Sequence, residues 1–395
     1  MKRLLLATAA CAGLASAAMA EPVNVGIILG FTGPLESITP AMAASAELAF
    51  KEASDSGKMP AGITLTPVRA DSTCVDAAAA TTAAEALVSG GDVAAIMGAD
   101  CSGVTTAIAN NVAVPKGVVM VSPSATSPAL STIEDNGFFF RTAPSDARQG
   151  IVLADLASEN GVTEVAVTYT NNDYGKGLAD SFAAAFEAKG GKVAISAAHD
   201  DGKADYSAEV AALQASGADT LMVFGYVDQG GRGITQAALD TGAFEHFYFG
   251  DGMYGQSLID AVGSEINGKV IGTLPGVEGA GADTFAAVAK AAGLDPTSTY
   301  VPESYDAGAL IALAMAASGS ADRTGIRDKM LDVANAPGEK IYAGELAKGL
   351  EILAGGGDID YQGATGVELI GPGEAAGSYR VYEIKDNAAT TLGYR

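Results

Sequence analysis

The residues best placed for chemistry in this chain are small hydroxyls at the ends of apolar runs. Residues 96–103 read IMGADCSG, and residues 118–126 read VVMVSPSAT. Each run stops at serine, threonine or cysteine. In an open α/β sheet, ligands bind in the crevice outside the carboxyl ends of the strands. A hydroxyl beside the free N–H groups of a helix start suits a carboxylate. Ser102, Ser124 and Thr126 are therefore candidate ligand contacts. No catalyst accompanies them. A serine or cysteine nucleophile needs a base, and the two histidines, His199 and His246, lie far along the chain. There is no Gly-x-Ser-x-Gly elbow and no histidine pair or cysteine quartet for a metal. The glycines at 175–177 and 230–233 lack the rest of a nucleotide fingerprint. Capture of a small anion-bearing molecule is expected, with no cofactor and no metal. A secreted hydrolase using Ser102 or Cys101 is the alternative of another class.

Positioning those residues requires a large folded frame outside the cytoplasm. Lys2 and Arg3 precede an apolar stretch, residues 4–18, too short to span a bilayer. Ala18-Met19-Ala20 fits a cleavage site, so residues 1–20 read as a signal peptide cut after Ala20. A lipid anchor on Cys11 would want leucine where Thr8 stands. Cys74 and Cys101 remain after cleavage, each following a strand-like run, at 65–71 and 93–100. Neighbouring parallel strands bring such ends together and an oxidising compartment bonds them. A Cys74–Cys101 disulfide is expected. The formal charge of −24 repels nucleic acid and anionic lipid. No later run looks membrane-spanning, so a soluble, periplasmic monomer without direct membrane insertion is expected. The length of 395 residues exceeds one usual core, which favours two lobes.

Strand-like and helix-like stretches alternate almost without pause. Strands are expected at 23–29, 63–70, 93–97, 165–169, 193–196, 220–224 and 247–249. Helices are expected at 41–53, 77–88, 104–112, 151–158, 178–188, 208–214 and 234–239. This is the pattern of βαβ units and parallel sheets covered by helices. Three stretches break the rhythm: the extended run 138–142, the run 270–275, and residues 362–369. They read as three hinge crossings between lobes. The expected division is 21–141 plus 276–364 for the first lobe and 142–275 plus 365–395 for the second.

Several motifs, in order, resemble the branched-chain amino-acid (Leu/Ile/Val) periplasmic binding proteins. They are Gly30-Phe31-Thr32-Gly33-Pro34, Cys101-Ser102 after 96–98, and Ser122-Pro123-Ser124-Ala125-Thr126. Further along come Phe140-Arg141-Thr142, Asn172-Asp173-Tyr174-Gly175 and Ser304-Tyr305-Asp306-Ala307. The resemblance covers nearly the whole chain after residue 20. It implies the type I fold, two Rossmann-like lobes joined by three extended hinge crossings, serving the permease of an ABC importer. It also implies site roles: Ser102 for the ligand carboxylate, Ser124 and Thr126 for backbone and hydroxyl contacts, Tyr174 and Tyr226 closing from the second lobe. Asp251 stands where the family pairs an acidic residue, usually glutamate, with the ammonium. Near Ile38, where this chain has Glu36-Ser37-Ile38, some members place a tyrosine against the ligand, which leaves the exact ligand open; a carboxylate without an amine, such as an aromatic acid, is the rival within the class.

Overall fold

The computed structural model describes residues 21–395. The expected signal peptide and its cleavage site after Ala20 lie outside them. The chain starts with five strands of one parallel sheet: β1 Glu21–Leu29, β2 Ile63–Asp71, β3 Ala95–Gly98, β4 Val119–Ser122 and β5 Phe139–Arg141. Their order is β2-β1-β3-β4-β5. Alternation along each strand serves both faces. Val25, Ile27, Leu29, Val119 and Val121 face one apolar core with helices Thr39–Asp55 and Val301–Ser318; Ile28, Ile96 and Met120 face the other. Strands covered on both sides have no polar face, which explains the continuous apolar runs.

A second sheet takes β6 Glu164–Thr170, β7 Lys192–His199, β8 Thr220–Phe224, β9 His246–Phe249 and β10 Val270–Pro275, in the order β7-β6-β8-β9-β10. β11 Glu339–Tyr342 and β12 Ile359–Gly363 form a small parallel pair. β13 Leu369–Ile370 and β14 Glu374–Ala375 then extend the first sheet beyond β5, and β15 Tyr379–Lys385 and β16 Ala388–Tyr394 extend the second beyond β10. Each main sheet has seven strands. Among the described residues no helix is long and apolar enough to cross a membrane.

The sheets correct the expected last crossing. Residues 365–375 belong with the first sheet, because β14 pairs with β5 through Glu374 and Arg141, and Val367 and Leu369 pack in the first lobe's core. The chain changes sheets after Ala375, not at 364. Gly373 makes the detour possible: its φ is +112°, and a Cβ there would sit 2.6 Å from the Phe140 ring. The β15–β16 hairpin was also absent from the sequence reading. Its turn residues Asp386 and Asn387 both have positive φ, 52° and 59°. Adjacent Asp and Asn are a usable signal for such a turn.

Arg141 ties the first and last crossings together. Its side chain is fully buried. Nη1 donates to the carbonyls of Ala125 (3.1 Å) and Ser127 (2.9 Å), and Nη2 donates to Ser131 Oγ (2.8 Å) and Glu374 Oε1 (2.9 Å). The buried guanidinium is tolerated because both Nη groups are bonded and Glu374 supplies the counter-charge, while Nε has no partner. It also holds the turn that carries Ser124 and Thr126.

Candidate functional site

The first-lobe half of the site is built from strand ends. Cys101 begins helix Ser102–Ile108, which follows β3, and the turn 123–127 follows β4. Cys74 and Cys101 are joined, with Cα atoms 5.2 Å apart. The strands they follow are not neighbours: β1 lies between β2 and β3. The bond passes over the end of β1, where Gly30 leaves no room for a side chain. A Cβ there would be 3.0 Å from both Cys74 Cβ and Asp100 Oδ2. Asp100 is buried and accepts from Gly30 N (3.0 Å) and Ser72 Oγ (3.1 Å), locking these strand ends together.

Ser102 and Ser124 hold that half's backbone. Ser102 Oγ accepts from Ser127 N at 3.1 Å, and Ser124 Oγ donates to the Asp100 carbonyl at 3.0 Å. Both side chains line one small cavity. Thr126 lies behind it. Its carbonyl accepts from Asp146 N at 2.8 Å, and its buried hydroxyl has no partner.

The second lobe supplies the opposite wall. Tyr174 and Tyr226 stack at 5.2 Å between ring centroids with planes 19° apart. Tyr174 Oη donates to Asp251 Oδ1 at 2.9 Å and accepts from Gly252 N at 3.1 Å; Asn172 Nδ2 donates to Tyr226 Oη at 3.1 Å. Asp251 starts a short turn of helix directly after β9. Its other oxygen accepts from Tyr300 Oη. Tyr300 precedes helix Val301–Ser318 of the first lobe with φ +58°, so this bond joins the two lobes. Ser37 N to Asp228 Oδ2 (2.9 Å) and Thr299 Oγ1 to the Tyr254 carbonyl (2.7 Å) join them as well. The structure is therefore a closed one.

Five of the six expected contacts, Ser102, Ser124, Tyr174, Tyr226 and Asp251, line this interlobe cavity of about 10 Å³, together with Leu35, Ile38, Cys101 and Tyr300. With the lobes closed, that space is about enough for one water molecule. Sequence reasoning missed Tyr300 and Asp146. Asp146 is fully buried at the start of helix Asp146–Glu159, and neither carboxyl oxygen has a hydrogen-bond partner. Burial raises the pKa of both carboxyls, and the field of Asp251 pushes Asp146 up further. A helix-start aspartate usually only complements the helix dipole, so no local signal marked it.

The arrangement offers little to a hydrolase. Cys101 is bonded, and Ser102 Oγ is engaged by Ser127 N. His199 sits at the end of β7, its Nδ1 2.8 Å from Thr168 Oγ1, with no bond to Ser102. Burial lowers its pKa to about 4. Because the folded value lies below the ordinary one, the neutral ring's contribution is present above about pH 6.5 and is lost as pH falls toward 4. Denaturant unfolding at pH 7 and at about pH 4.5 should show the parent losing about 2–3 kcal/mol more than His199→Gln between those pH values. Equal losses would mean that His199 is protonated at no cost.

Residues 22–343 match the periplasmic binding protein family. A leucine-, isoleucine-, valine-, threonine- and alanine-binding protein of Pseudomonas aeruginosa is 29% identical over 329 residues, which cover 80% of this chain and 84% of the relative. The solved branched-chain amino-acid transporter substrate-binding protein of Streptococcus pneumoniae, in complex with isoleucine, has a TM-score of 0.77 at 21% identity, covering 95% of this chain and 99% of its own. A solute-binding protein of an ABC transporter from Rhodopseudomonas palustris, in complex with p-hydroxybenzoic acid, has a TM-score of 0.75 at 18% identity, covering 95% and 97%. The chain belongs to the periplasmic binding protein family, and its two-lobed fold is the type I fold of the solved neighbours. It is a binding protein rather than an enzyme, and its family's place is the periplasm.

Proposed function

We propose that this chain captures a small amino acid with an apolar side chain between its lobes and delivers it to the permease of an ABC importer. In this reading the protein is exported by cleavage after Ala20 and works as a monomer. One observation carries the ligand class: Asp251 lies in the interlobe cavity, 2% exposed, opposite the hydroxyl-lined strand ends that carry Ser102 and Ser124. An ammonium at the acid and a carboxylate at the helix start would satisfy both ends. Asp146 is buried near Asp251, and a cationic group between them would ease the cost of ionising two close acids. Leu35, Ile38 and the stacked tyrosines leave apolar surface for the side chain.

A second reading is an aromatic acid without an amine. Two observations favour it. Asp251 already accepts from two phenols without any cation, and a protein of the same fold holds p-hydroxybenzoic acid. A thermal-shift screen of the standard amino acids against benzoates separates the readings. A true ligand at a hundred times its dissociation constant should add about 2.7 kcal/mol of stability.

Function in either case is hinge closure. The ligand binds the closed state better, shifts the population toward it, and is desolvated between the lobes. Small-angle scattering should show a smaller radius of gyration at saturating ligand than without. An identical profile for a ligand proven by thermal shift would argue against closure on binding.

A further inference from the structure

A second cavity, of about 140 Å³, lies on the hinge side of the molecule and is separate from the interlobe cleft. Its walls are the second crossing at Pro275–Val277, Thr365 ahead of the last crossing, the first-lobe residues Phe285 and Glu303, and Arg380 of β15 in the second lobe. Tyr300 is the partition: it lines both cavities while its hydroxyl is turned to Asp251.

A carboxyl and a guanidinium line this cavity without meeting. Glu303 is 3% exposed, and no other residue hydrogen-bonds its carboxyl among the described residues. Arg380 lies over the Tyr254 ring at 4.8 Å and gives one bond, Nη2 to the Thr297 carbonyl at 3.3 Å, while its Nε has no partner. Among the described residues no salt bridge within 4.0 Å joins Glu303 and Arg380. Its own backbone N–H bonds the Glu303 carboxyl, but no cation pairs with it, and ionising a buried carboxyl without one is costly. Burial, and the nearby charge of Asp306, push Glu303 up to about 8, the behaviour of an acid that lacks its cation. Arg380 acts against that shift from across the space. Phe285, Pro296 and Pro302 supply apolar wall between the two ends.

We infer that this hinge cavity is a second binding site, which takes a small zwitterion with its ammonium on Glu303 and its carboxylate on Arg380. A monocation or a monoanion would satisfy only one end. Because the walls come from both lobes and from two crossings, the cavity changes shape with the hinge angle.

The test uses the full chain after residue 20 and a probe series of linear ω-amino acids from glycine to 5-aminovalerate, followed by ligand-detected NMR and calorimetry. At least one member should bind with a dissociation constant below about 10 mM, and at least about tenfold more tightly than butyrate or butylamine. Binding should persist in Asp251→Asn, which disables the cleft. It should weaken at least about tenfold in Glu303→Gln and in Arg380→Gln, a loss of about 1.4 kcal/mol. Arg380 is only half-buried, so its variant carries the test if Glu303→Gln fails to fold. The inference is overturned if no member of the series binds, if the lone-charge probes bind as well, or if binding survives Arg380→Gln. Loss of probe binding in Asp251→Asn would place the probe in the cleft and also overturn it.

Discussion

Asp251→Asn should weaken amino-acid binding by at least about thirtyfold while leaving the fold intact. The carboxylate is buried, accepts from Tyr174 at 2.9 Å, and is bonded by Tyr300 across the lobes. Truncating one partner of a buried, hydrogen-bonded charge pair costs about 2–5 kcal/mol, part of it from leaving the other charge unpaired. Each 1.4 kcal/mol is about a factor of ten. An amide keeps the shape and can still accept from one phenol, so packing survives. The matching des-amino acid should bind the variant as well as the parent, or better. Calorimetric titration of both ligand types against both proteins gives the answer. If the variant binds amino acids as the parent does, Asp251 serves only the turn, and the aromatic-acid reading moves ahead.

Removing the Cys74–Cys101 bond should cost about 3–4 kcal/mol of unfolding free energy, the chain-entropy value for a loop of this size. The sequence separation is 27. The double variant Cys74→Ala/Cys101→Ala should show a lower urea midpoint than the parent, measured without reductant. Ligand affinity should also fall, because Cys101 lines the cavity and precedes Ser102. Free-thiol titration of denatured, unreduced parent should find no thiol. Two thiols per chain, or an unchanged midpoint in the variant, would remove the bond from the account of stability.

Much of the first-lobe half of the site was legible in the chain itself. Ser102 and Ser124 follow β3 and β4, neighbouring strands only a short crossover apart, so local pattern placed both at one sheet edge. Asp251 and Tyr226 follow β9 and β8 in the same way, and the family resemblance named them. Tyr300 was invisible for a physical reason. It belongs to a loop between two helices of the first lobe, and only closure of the lobes carries its hydroxyl to Asp251. Asp146 lies ahead of the helix expected at 151–158, where nothing in the sequence singled it out, and the fold buries it. The last crossing was misplaced because β13 and β14 are two residues each, too short for a periodic signal, and their place is set by pairing with β5.

What the amino-acid order settles here is whatever depends on near neighbours. That includes the alternation of apolar strands and alanine-rich helices, the hydroxyl clusters at strand ends, and the pair of cysteines after residue 20. Those follow from hydrogen bonding and apolar burial within one βαβ unit. The tertiary structure decided the rest: which lobe owns residues 365–375, that the disulfide spans β1, and that a first-lobe tyrosine caps a second-lobe aspartate. It alone put Glu303 and Arg380 on one cavity without contact. Each of these pairs groups far apart in sequence, and their meeting depends on how two separately packed sheets are set against each other by the hinge.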